Sequence, residues 1–142
     1  MHARCRCHKV KPTDANLRPL VKYIFAFRPG LDKRSLFRAV YLLDKAFERE
    51  TGRPLTGTEY GHCILLKAPY FSVDVKEAVF DLLRLGEIEL RPKRRNGELV
   101  STYYPVGYRV EDVEDDVRRE YNLYEDKWRL FREVLERVLG EE

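Results

Sequence analysis

Apolar residues recur at helical spacing in four stretches of the chain, and the residues between them mark where each helix starts and stops. Leu17, Leu20, Val21, Ile24 and Phe25 form the first stripe, with Thr13 or Asp14 as its cap and Pro29-Gly30 as its end. The second comprises Leu36, Phe37, Val40, Tyr41, Leu43 and Phe47, opened by Asp32 and closed near Glu50 by Thr51-Gly52. The third places Val75, Ala78, Val79, Leu82, Leu83 and Leu85 on one face, capped by Ser72 or Asp74 and closed by Gly86. The fourth is predicted over 114–139. There Tyr124, Trp128, Phe131, Leu135 and Val138 make a narrow seam suited to packing along another helix, within the chain or in a homodimer.

Two stretches break this period. Between Arg53 and Phe71, Pro54, Gly57, Gly61 and Pro69 separate short apolar pieces such as His62 to Leu66, which fits a strand or one helical turn. Over 87–106 the pattern alternates, with runs Glu87–Pro92 and Leu99–Val106 joined by Lys93 to Glu98. Asn96-Gly97 inside that link is a strong hairpin signal. The predicted fold is α+β: a mainly helical single domain of about four helices with a small antiparallel β-hairpin. It divides into a flexible basic arm, 1–13, and one domain, 14–142. A helix closed by Gly86 and followed by a basic hairpin makes the second half winged-helix-like.

A length of 142 residues suits one domain. Charge is distributed unevenly: residues 1–40 carry ten basic and two acidic side chains, residues 111–142 six basic and twelve acidic. Such a chain offers a positive surface to an anionic partner, or pairs its ends internally. The absence of a bilayer-length apolar run and of a signal-peptide pattern at Met1 to Lys11 leads us to expect a cytoplasmic protein without membrane contact. Three cysteines argue against a disulfide framework. Charged residues reach 36% and Gln is absent, a thermophile-like composition.

Catalytic machinery is not expected. His2, His8 and His62 are the only histidines, and the chain has no phosphate loop, nucleophile elbow or HExxH pattern. His62 and Cys63 are adjacent, so in a strand they point to opposite faces. His2, Cys5, Cys7 and His8 are zinc-ligand types, but their spacing is compressed and Arg4, Arg6 and Lys9 surround them. They are read as part of the basic arm, and no metal or cofactor is expected. Arg91, Lys93, Arg94 and Arg95 are candidate nucleic-acid contacts at the hairpin. The helix before it offers only Lys76 and Arg84, opposed by Asp74, Glu77 and Asp81. About twenty residues separate it from the preceding helix, against the three or four of a helix-turn-helix.

Tyr41-Leu42-Leu43-Asp44, then Thr51-Gly52-Arg53-Pro54-Leu55-Thr56-Gly57, then Tyr60 and Lys67-Ala68-Pro69-Tyr70, resemble the motifs of the Panacea domain, the SocA-like antitoxin family. The likeness spans about Leu36 to Leu90. It marks Tyr41, Asp44, Gly52, Arg53, Pro54, Gly57, Tyr60 and Pro69 as the family-motif positions. It implies a non-enzymatic, antitoxin- or adaptor-like protein whose partner is a toxin or adaptor target. The alternative reading is a winged-helix-like DNA-binding transcriptional regulator. Gly52 and Gly57 with Pro54 between them also explain the motif as a turn. Asp44 can hold that turn by accepting backbone or Arg53 hydrogen bonds.

Overall fold

A computed structural model of the chain describes residues 10–63 and 68–140. The elements run α1 (Arg18–Phe27), α2 (Lys33–Thr51), β1 (Gly61–Cys63), β2 (Ala68–Phe71), α3 (Val73–Arg84), β3 (Ile88–Arg95), β4 (Glu98–Pro105), α4 (Val110–Tyr121) and α5 (Asp126–Leu139). The described residues form a mixed α+β domain with two antiparallel strand pairs, β1–β2 and β3–β4. None of the described helices is long and apolar enough to cross a membrane.

The start of α2 follows the sequence signal. Asp32 has extended backbone, and its Oδ1 accepts the Ser35 N–H at 2.8 Å; at the other end Gly52 closes the helix at φ +88°. Ser72 opens α3, its hydroxyl accepting the Val75 N–H at 3.2 Å. Helix α1 begins later than expected, at Arg18 after an uncapped Leu17, with Pro19 in its first turn. Thr13 does not cap it, because its N–H and hydroxyl both go to Asp74, at 2.9 and 2.7 Å.

The expectation of about four helices, with the last over 114–139, is corrected to five among the described residues. The chain leaves α4 at Asn122 in the left-handed region, φ +58°, and turns again at Glu125, φ +55°. Asn tolerates that conformation, and Leu123 is fully buried with its N–H donated to Arg118 O at 2.8 Å. Tyr124 therefore leaves the seam and is exposed. The rest of the seam packs inside the chain: Trp128 and Phe131 meet Tyr23 of α1 edge-on at 5.7 and 5.3 Å.

The hairpin also differs from its prediction. Asn96 (φ +51°) and Gly97 (φ +81°) alone make the turn, so Lys93, Arg94, Arg95 and Glu98 belong to the strands rather than to a six-residue link. Two consecutive positive φ values suit the right-handed twist of a tight hairpin. Leu31, between α1 and α2, pairs with β4 on its free edge. Gly30 N–H donates to Tyr103 O at 2.8 Å, and Tyr103 N–H to Leu31 O at 2.9 Å. Tyr103 is buried by stacking on Phe25, with centroids 5.4 Å apart, which fixes the hairpin base to the helical core.

Residues 10–13, the end of the expected arm, touch the rest of the domain at Val10 and Thr13. Val10 is buried, and a Cβ built on Gly61 would lie 2.2 Å from its Cγ2, so only glycine lets the two segments close. The remainder of the predicted arm, with His2, Cys5, Cys7 and His8, lies outside the described residues.

Candidate functional site

Two of the motif residues, Asp44 and Tyr60, meet in a bracket around a buried carboxylate. Asp44, 3% exposed on α2, accepts the Thr56 N–H at 2.6 Å, the Thr56 hydroxyl at 2.7 Å and the Tyr60 hydroxyl. Burial is the main influence on its carboxyl group and raises the pKa above the usual carboxylate value, although all three donors pull the other way. Tyr41 stacks on Tyr70 at 4.2 Å and meets Tyr60 edge-on at 5.2 Å. Gly57 turns the chain at φ +74° before Tyr60. Arg53, Pro54 and Pro69 are exposed. The bonds that Asp44 receives come from Thr56 and Tyr60 and not from Arg53.

Asp74 is a second bracket, unmarked by any motif. It takes both bonds from Thr13 and one from the Thr58 hydroxyl, while Thr58 and Ser72 share a bond of 2.7 Å. Together the two carboxylates tie the 52–60 loop and residues 10–13 to α2 and α3. Each bond satisfies a polar group that burial would otherwise penalise, so the geometry accounts for these residues structurally. Position alone could not flag Asp74, because an acidic residue in a first helical turn reads as a dipole partner.

The basic residues behave differently. Strand alternation places Arg91, Lys93 and Arg95 on one face of the hairpin and Arg94 on the other. Arg91 pairs with Glu89 and lies 4.2 Å from the Tyr104 ring centroid. Arg94 Nη1 bonds Gly97 O at 3.3 Å, and Arg95 reaches Asp32 at 3.0 Å. That last contact brings the hairpin beside the start of α2, where Lys33, Arg34 and Arg38 stand. Arg28, at the end of α1, is close by and donates to Leu139 O at 3.1 Å. Sequence reading found the hairpin residues and missed Arg28, Lys33, Arg34 and Arg38. Their proximity depends on the Leu31–Tyr103 pairing, which leaves no short-range signal.

Two depressions flank the Asp32–Arg95 pair. One, of about 450 Å³, is lined by Lys33, Arg34, Leu99 and Ser101; the other, of about 470 Å³, by Arg28, Arg38, Lys93 and Tyr104. On α3 the exposed face carries Lys76 and Phe80, and Lys33 Nζ stands 5.7 Å from the Phe80 ring centroid. Burial, and next the neighbouring Lys76 charge, lower the Lys33 pKa, so positive charge is crowded here. Elsewhere, His62 is exposed, and the Cys63 side chain lies outside the described residues. Among the described residues no three His, Cys, Asp or Glu side chains gather as a metal site requires.

No protein-family model matches the chain, and neither the curated proteins nor the solved structures contain a match to it.

Proposed function

We propose that the protein binds duplex DNA through the surface formed by α3, the start of α2 and the β3–β4 hairpin. The observation that carries this reading is the meeting of Lys33 and Arg34, at the start of α2, with the basic hairpin around the Asp32–Arg95 ion pair, beside Lys76 and Phe80 of α3. A surface of that charge lowers its own repulsion by taking up phosphates and releasing their counterions. The element order supports it too. Helix α1, the Leu31 pairing, α2, α3 and then a hairpin whose second strand pairs with Leu31 is the order of a winged-helix domain. In this reading β1–β2 is an insertion between the second and third helices, which explains the long spacing. Arg34, Lys76 and Arg94 would contact backbone phosphates, and Phe80 would face the groove.

Anisotropy of a labelled duplex against salt tests this. Affinity is expected to fall steeply, with a log–log slope of about −0.9 per phosphate contact. Arg94→Ala with Arg34→Ala should weaken binding and reduce that slope by about two. Salt-independent binding, or a slope untouched by both changes, would overturn the proposal.

A protein partner is the second reading, favoured by Phe80, Leu85, Leu90 and Leu99, all more than 40% exposed. This fits the antitoxin- or adaptor-like function implied by the motif resemblance. Co-purification from the native host of a stoichiometric partner, lost on Phe80→Asp with Leu99→Asp, would support it over DNA.

A further inference from the structure

The depression on the other side of the Asp32–Arg95 pair shares those two residues with the proposed duplex surface and draws the rest of its basic lining from elsewhere. Its lining draws one basic residue from the end of α1, one from α2 and two from β3: Arg28, Arg38, Lys93 and Arg95. Among the described residues that line it Asp32 is the only acidic one, and both its oxygens are already used, by Ser35 N–H and Arg95. Arg28 is held at the end of α5 through Leu139 O. Arg38 and Lys93 form no ion pair or hydrogen bond with any described residue. Charges collected in this way repel one another, and an anion seated among them relieves the repulsion. At about 470 Å³ the volume falls in the range of small-molecule sites, well above what one phosphate fills. Tyr104 supplies an aromatic wall beside the cations.

We propose that this cavity binds a small phosphorylated ligand of nucleotide size, with Arg38 and Lys93 as the principal phosphate contacts. Arg28 and Arg95 complete the positive rim while keeping their own partners, and Tyr104 bounds the part of the ligand beyond the phosphates. An arginine donates in a planar fork and a lysine as a point charge, a combination suited to adjacent phosphates. The proposal is independent of duplex binding, since Arg34 and Leu99, which face the other depression, take no part in it.

Calorimetry of the full chain with pyrophosphate and with ADP, at constant ionic strength, is the test. Saturable one-to-one binding of both is expected. Arg38→Ala and Lys93→Ala should each weaken it at least ten-fold, Arg38→Lys less so, and Arg34→Ala should leave it unchanged. Both alanine positions are exposed, and circular dichroism checks that each variant stays folded. Equal binding by all variants, or an equal heat from sodium sulfate, would overturn the site. Binding of pyrophosphate without ADP would overturn its nucleotide size. If duplex DNA displaces pyrophosphate, the cavity is part of the duplex surface and the independent site is refuted. If DNA does not bind at all, the pyrophosphate measurement still decides the proposal.

Discussion

Arg95 Nη1 and Asp32 Oδ2 meet at 3.0 Å, tying the last residue of β3 to the residue that caps α2. The two oxygens of Asp32 thus serve different partners, since Oδ1 accepts the Ser35 N–H. Their energetic weights differ as well. A helix cap is worth about 1 kcal/mol and up to about 2. A pair whose arginine is 45% exposed is worth less than about 1 kcal/mol, because solvent screens it. Asp32→Ala should therefore lower unfolding free energy by about 1–2 kcal/mol in urea titrations. Arg95→Ala should cost no more than about 1 kcal/mol. Equal losses would show that the ion pair, not the cap, dominates at this corner.

The Asp44 bracket gives a pH prediction. Burial raises its folded pKa above 3.8, so the folded state holds this proton at pH values where the unfolded chain has released it. Stability from that group is fully present below about 3.8 and is lost as pH rises through the raised value. The stability difference between the wild type and Asp44→Asn should accordingly be greatest at low pH and shrink toward neutrality. Denaturant titrations at several pH values read it directly. A difference that grows with pH would mean the Thr56 and Tyr60 bonds outweigh burial. Asp44→Ala, which strands those donors, should cost about 3 kcal/mol at neutral pH.

These brackets also show what the sequence could convey. Asp32, Ser72, Gly52 and Asn96-Gly97 act through neighbours one to four residues away, so their roles could be read directly from the chain. The break between α4 and α5 could not be seen, because it rests on one asparagine in the left-handed region and a leucine reaching the core. The Leu31–Tyr103 pairing spans more than seventy residues, and it decides which basic side chains share a surface. Arg28 and Arg38 were unmarked for that reason, and Asp74 likewise because its partner Thr13 lies sixty-one residues away.

Gly30 is a hinge point for that same pairing. Its φ is +92°, and a Cβ there would sit 3.1 Å from Tyr104 Oη. Alanine at this position meets both backbone strain and a crowded hydroxyl, so Gly30→Ala should destabilise by about 1–2 kcal/mol. Tyr104→Phe removes the atom in the way and leaves the strain. Gly30→Ala should therefore cost less in a Tyr104→Phe background, and a double-mutant cycle measures the difference. No coupling would place the whole cost in the backbone.

Tyr23 is expected to tolerate the loss of its hydroxyl. The side chain is fully buried among Phe27, Trp128 and Phe131, yet its Oη has no hydrogen-bond partner. Arg132 Nε, likewise buried and unpaired, contributes positive charge nearby without closing a bond of good geometry. A hydroxyl in this position carries its desolvation cost with no return, and phenylalanine keeps the ring packing. Tyr23→Phe should leave stability unchanged or raise it by up to about 1 kcal/mol at neutral pH. Alkaline pH sharpens the contrast. Burial pushes this phenol up to about 12, so above pH 10 the unfolded chain ionises first and the wild type loses stability. The phenylalanine variant lacks that loss, and its advantage should widen between pH 10 and 12 in denaturant titrations. A variant destabilised by more than about 1 kcal/mol at neutral pH would mean that Tyr23 and Arg132 are bonded in solution.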